Sequence, residues 1–122
     1  MTQAFSIREH DRFRLEPMYT SVTLQRAQGM SLRSVEGHAY DVSLAGVRIE
    51  LDDPLTVGEP VSLTLRFGGE AIHASGLVVW VNDEADDPGA RRSAIRFTSF
   101  STAADRDRLA RSIGRTPHRR SA

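Results

Sequence analysis

From Thr20 onward, apolar residues alternate with polar ones more often than they recur at helical spacing, the mark of strands with one buried face. Val22 and Leu24 alternate with Thr23 and Gln25, and the polar stretch Gln28 to Gly37 then interrupts the pattern. This predicts a strand followed by a loop or flared hairpin. A strand is predicted next over His38 to Val42, then a turn over Ser43 to Gly46. Val47, Ile49 and Leu51 alternate with Arg48 and Glu50 until Asp52, Asp53 and Pro54 stop that strand. Val61, Leu63, Leu65 and Phe67 alternate again and end at Gly68-Gly69, a pair suited to a tight hairpin. The return strand begins near Ala71 and becomes almost continuously apolar from Leu77 to Val81, the pattern of a strand covered on both faces or crossing a barrel corner. Gly76 would permit the bend, and Trp80 is assigned to the core because one indole fills much of a small barrel. Asn82 to Arg92, acidic and containing Pro88 and Gly89, is expected to be a mobile surface loop before a last strand over Ser93 to Thr98.

One helix follows. Thr102 is placed to cap it, Asp105 stands three residues later as in a capping box, and Leu109 and Ile113 form a short apolar stripe. Gly114 is expected to end it and Pro117 to prevent its resumption. Residues 115–122, with Arg119 and Arg120, have too few apolar groups to offset their ordering entropy and are expected to be a disordered basic tail; residues 1–7 are expected to be a flexible N-terminus. Several short antiparallel strands with a terminal helix make this an all-β chain, and closure into a small barrel removes the edges that an open sheet of this size would expose.

The 122 residues suit one domain. The 16 basic and 16 acidic residues balance, so no global charge excess draws the chain to DNA, RNA or anionic lipid, and any anion must be held locally. No apolar run approaches the length of a spanning helix, and the first residues lack a basic region followed by an apolar stretch, so the chain reads as cytoplasmic. Cysteine is absent, which removes disulfides, thiolate nucleophiles and cysteine-ligated metals. Every basic residue is Arg, leaving only planar, bidentate cations. Catalysis has no support. His10, His38, His73 and His118 share no metal-ligand spacing, Ser43 lies in neither a nucleophile elbow nor a phosphate loop, and the pairs Asp52/Asp53 and Asp86/Asp87 sit beside prolines in predicted loops.

Two features remain. Arg8-Glu9-His10-Asp11-Arg12, followed by Phe13 and Arg14, forms a charged arm ahead of the first strand, and Asp41-Val42-Ser43-Leu44-Ala45-Gly46 forms a turn between two strands. Each has a bland explanation, as a solvated arm and as a turn whose residues bond their own backbone. Together and in this order they resemble the PilZ domain family, characterised by an RxxxR arm and a [D/N]xSxxG turn. Asp41, Ser43 and Gly46 match the second motif at all three defining positions. Arg8 and Arg12 satisfy the first. Arg14 would also fill its second position if His10 stood in the first, so Arg14 is taken as auxiliary. Val47 to Leu51, the Pro54 to Gly58 turn, Leu77 to Trp80, Ala94 to Phe97 and the Asp105 to Leu109 helix extend the likeness from Arg8 to Ile113, within a domain set at residues 8–114.

The resemblance implies a six-stranded antiparallel β-barrel with a C-terminal helix, and a bacterial receptor for cyclic di-GMP that changes conformation on binding. It would regulate an unidentified protein effector in motility, biofilm, exopolysaccharide or secretion control, as a monomer or weak dimer. Arg8, Arg12 and Arg14 would grip phosphates or guanine edges, Asp41 would accept from guanine donors, Ser43 would offer its hydroxyl, and Gly46 would leave room for the ligand. Family members often place a second arginine beside the first of the RxxxR pair, whereas Glu9, His10 and Asp11 follow Arg8 here. The second reading is therefore a degenerate member that binds no nucleotide and serves as a protein-interaction adaptor.

Overall fold

A computed structural model of the chain describes residues 12–14, 20–67, 69–82, 91–115 and 119–121. Arg8 and most of the acidic stretch between Asn82 and Arg92 lie outside these residues. The elements run β1 (Arg12–Arg14), β2 (Ser21–Gln28), β3 (Ser31–Val42), β4 (Gly46–Leu51), β5 (Pro60–Phe67), β6 (Glu70–Val81), β7 (Arg91–Phe100), α1 (Ala103–Arg115) and β8 (Arg119–Ser121). Six strands lie side by side in the order β2-β5-β6-β7-β4-β3, and β2 pairs again with β3, so the sheet closes into the expected six-stranded antiparallel barrel. The alternating apolar residues point inward: Leu24, Ile49, Leu65, Ile72 and Ile95 are all but completely buried in one core. Each such side chain stabilises the fold by about 1.5–3 kcal/mol.

The helix completes that core with Leu109 and Ile113. Its N-terminus is fastened to β6 by the residues its spacing predicts. Thr102 Oγ1 accepts from the Asp105 amide at 3.2 Å, and Asp105 Oδ2 accepts from the Thr102 amide at 3.0 Å and its hydroxyl at 2.8 Å. Asp105 Oδ1 reaches further and accepts from the backbone N–H of His73 at 2.9 Å, which no local pattern announces. Ser101 N–H donates to His73 O at 3.0 Å. Opposite, Arg26 ties the loop after β4 to β2, donating to the Glu59 carboxylate at 2.7 and 2.9 Å and to Pro54 O at 2.8 Å.

Several expectations change. The polar stretch after Gln28 is not a loop: β3 starts at Ser31 and pairs with β2 from Ser31 to His38, around a tip at Gly29 (φ 61°) and Met30. Its residues 31–34 are exposed, so no buried face imposed alternation on them. Trp80 is not core; it is 41% exposed, because an irregularity between Val78 and Trp80 shifts the inward-outward alternation of β6. A bulge next to Gly76 does bend β6, and that residue is also required by contact, since a Cβ there would stand 2.6 Å from both Arg96 O and Ile95 Cγ2. The helix runs through Gly114 to Arg115. Within the tail, residues 119–121 form β8, paired with β1, whose short edge offers backbone donors and acceptors to the returning chain. Among the described residues no helix is long and apolar enough to cross a membrane.

Candidate functional site

The Asp41 to Gly46 turn joins β3 to β4. It is closed by Ser43 N–H donating to Gly46 O at 2.9 Å, and by the Ala45 amide donating to Ser43 Oγ at 3.0 Å. Ala45 O accepts from Phe97 N–H at 2.8 Å and anchors the turn to β7. Ser43 is fully buried, and its hydroxyl, already an acceptor, keeps a proton to donate. Positive φ among the described residues occurs only at Gly29, Gly58 and Gly69, so the turn does not use Gly46 for a left-handed backbone.

Asp41 owes its placement to a bulge. Ala39 pairs with Ile49 and Val42 with Val47, both inward, while Asp41 pairs with Arg48, and the register shifts between Ala39 and Asp41. Strict alternation from Ala39 would turn Asp41 into the core. The extra residue, Tyr40, sets Asp41 on the outer face with Arg48 instead. Asp41 is nonetheless only 3% exposed, and its Oδ2 lies 3.8 Å from Arg48 Nη1. That is charge proximity rather than a hydrogen bond.

Beside Asp41 on β3 runs β1. Phe13 pairs with Val42 and Arg14 with Asp41, and β8 follows with Arg119 opposite Arg14 and Arg120 opposite Phe13. One register line therefore crosses six strands: Trp80, Ala94, Arg48, Asp41, Arg14, Arg119. At the normal strand spacing it spans about 24 Å. Arg12 and Arg14, two apart, occupy the same face of β1. Of the residues singled out in the sequence, Arg12 and Arg14 are thus brought beside Asp41, Ser43 and Gly46, and Arg8 lies outside the described residues.

Next to the line, Arg92 Nε donates to Glu50 Oε2 at 2.8 Å, and its guanidinium carbon stands 5.2 Å from the centre of the Tyr40 ring. Burial pushes the Tyr40 phenol above its ordinary range although Arg48 and Arg92 pull it down, so it stays protonated at neutral pH. Arg48 and Trp80 are the members of this surface that motif reading passes over. The available signal for Arg48 was its outward position between Val47 and Ile49; for Trp80 there was none, since its strand reads as apolar throughout. The arrangement can present a carboxylate acceptor flanked by planar cations, a setting for a ligand that is both anionic and rich in N–H donors.

The sequence model of the PilZ domain family matches residues 6–115. No curated protein matches the chain by sequence. Among solved structures, the chain is similar to the PilZ domain with c-di-GMP of YcgR from Escherichia coli, at 17% identity and TM-score 0.65, covering 84% of this chain and 86% of that one. It is also similar to the inhibitor of motility MotI/DgrA from Bacillus subtilis, at 16% identity and TM-score 0.64, covering 94% of this chain and 51% of that one. A third is the PilZ domain of CeSA from a cellulose-synthesizing bacterium, at 17% identity and TM-score 0.59, covering 84% and 94%. At these identities the structural likeness speaks for the fold.

Proposed function

The chain belongs to the PilZ domain family, and from that premise we propose that it is a receptor for cyclic di-GMP, held between the arginine arm and the Asp41 to Gly46 turn. The observation that carries this reading is the register of β1 on β3, which sets Arg14 directly across from Asp41. A cyclic dinucleotide has two phosphates and two guanines. Arg8, Arg12 and Arg14 supply forked cations for phosphate oxygens or for guanine O6 and N7, and Asp41 accepts from guanine N1–H and N2–H. Ser43 keeps the turn tight and has a hydroxyl proton to give to a phosphate. None of these groups performs a covalent step; the protein is a sensor rather than an enzyme.

Binding and conformational change are linked by burial. Asp41 and Ser43 are covered in the present arrangement, so admitting a ligand requires the chain around β1 to move. A ligand shifts such an equilibrium only by its differential affinity for the opened form. Micromolar binding needs about 8 kcal/mol, and a bidentate arginine contact is worth about 1–3 kcal/mol, so three or four such contacts are enough. The rearranged arm would then create or hide a surface for a protein effector in the cytoplasm. Motility and exopolysaccharide control are the outputs this reading favours, given the motility inhibitor and the cellulose-related domain among the structural neighbours.

Calorimetric titration of the full chain with cyclic di-GMP, with GMP and cyclic di-AMP as controls, tests the proposal. A micromolar Kd, lost when Arg8 and Arg12 are both replaced by Ala and weakened by Arg14→Ala, is expected. Absence of heat and of any melting-temperature shift at saturating dinucleotide overturns it and leaves a barrel that docks proteins without nucleotide.

A further inference from the structure

We infer that Arg48 is a second guanine-reading residue, acting with Asp41 as a donor and acceptor pair on one base; this rests on the cyclic di-GMP reading above. A guanine edge carries two kinds of group. N1–H and N2–H are donors, which a carboxylate satisfies, whereas O6 and N7 are acceptors, which it repels. One aspartate therefore reads half the edge, and the other half calls for a forked donor next to it.

Arg48 stands at that place. It is Asp41's cross-strand partner on β4, brought to the same face by the bulge at Tyr40. The 3.8 Å between Nη1 and Oδ2 keeps the charges mutually oriented without making either the other's hydrogen-bond partner. The nearest carboxylate along β4, Glu50, is engaged by Arg92 at 2.8 Å. On its other side Arg48 pairs with Ala94, whose lone methyl puts no bulk between the guanidinium and a base lying along the register line. Arg48 retains 20% side-chain exposure against 5% for Asp41, so any opening that uncovers the carboxylate also uncovers the cation.

The pair tests a base twice. Adenine offers an amino group where guanine has O6, which faces Arg48 with a donor, and it lacks N1–H and the 2-amino group, which leaves Asp41 unanswered. Each mismatch is worth about 10- to 100-fold in affinity.

The test uses the full chain and ligands altered one atom at a time. Cyclic di-GMP, its 7-deaza analogue lacking N7, and cyclic di-IMP lacking the 2-amino groups are titrated against wild type, Arg48→Gln and Arg48→Lys, with melting curves for each variant. Wild type is expected to bind the 7-deaza analogue about tenfold more weakly. Arg48→Gln should weaken cyclic di-GMP about tenfold or more and bind both guanine ligands alike, while keeping its penalty against cyclic di-IMP. Arg48→Lys, which retains the charge beside Asp41 but not the fork, should likewise lose sensitivity to N7. If wild type binds cyclic di-GMP but is indifferent to N7, or if the variants weaken all three ligands by one factor with the N7 penalty intact, the inference is overturned while the receptor reading stands. A wild-type chain that binds no cyclic di-GMP overturns both.

Discussion

Asp41 and Asp105 are buried almost equally, at 3% and 2% exposure, yet their surroundings differ. Asp105 is enclosed by donors from the fold's own framework: the His73 amide, the Thr102 amide and the Thr102 hydroxyl, all within 3.0 Å. Burial by itself would raise its pKa, but these bonds from His73 and Thr102 outweigh it and hold the carboxyl below its ordinary range. Asp41 meets Arg48 only at 3.8 Å and lies where a barrel strand hands over to the arm. The first carboxylate is committed to holding a helix on a sheet. The second is placed by a bulge and a register, at a seam that can open. Burial alone does not tell a structural acid from a ligand-reading one; what separates them is whether the donors belong to the rigid frame.

The sharpest way to break this contrast is to delete each acid and read both stability and binding. Asp105→Ala leaves buried amides without acceptors and removes a helix cap, at a cost of about 3 kcal/mol. A melting temperature lower by about 10 °C is expected, with cyclic di-GMP affinity within about twofold of wild type. Asp41→Ala should do the reverse, weakening cyclic di-GMP about tenfold or more while moving the melting temperature by less than half as much. If Asp41→Ala proves the more destabilising, the division of labour drawn here is wrong. Thr102→Ala, which removes only one side of the reciprocal cap, should cost about 1 kcal/mol in a denaturant titration, and Thr102→Ser much less.

The smallest expected effect is in pH. Because the folded-state pKa of Asp105 is lowered, its contribution is complete at neutral pH and above the ordinary carboxylate value. It is lost as pH falls below about 4 toward the lowered value. Unfolding free energy measured from pH 7 down to pH 3 should fall less steeply in Asp105→Asn than in wild type. Equal slopes would mean that other groups govern the acid limb.

The two acids also show what the chain discloses before it folds. The capping box at Thr102 and Asp105 is local, so spacing reveals it; the tie to His73 spans 32 residues and is visible only once β6 lies beneath the helix. The barrel was readable because Val47, Ile49 and Leu51, or Val61, Leu63 and Leu65, alternate in strands with a single buried face. The first half of β3 was hidden because both its faces meet water, and Trp80 because an irregularity changed its side. At the site, Asp41, Ser43 and Gly46 stood out as a motif. Arg48 did not, since its link to Asp41 depends on a bulge, and a bulge is a property of two paired strands rather than of one sequence segment.

The pairing of β1 with β8 joins the two extremities of the described chain residue against residue, Arg12 with Ser121 and Arg14 with Arg119. The zipper has only three rungs and no barrel wall behind its outer strand, so it is a fastening that a modest pull can undo. Donor and acceptor dyes attached at the two termini would sit close while it is shut and separate when the arm leaves β3. The molecule thus carries in its own ends the elements of an optical gauge for the motion that would accompany ligand capture.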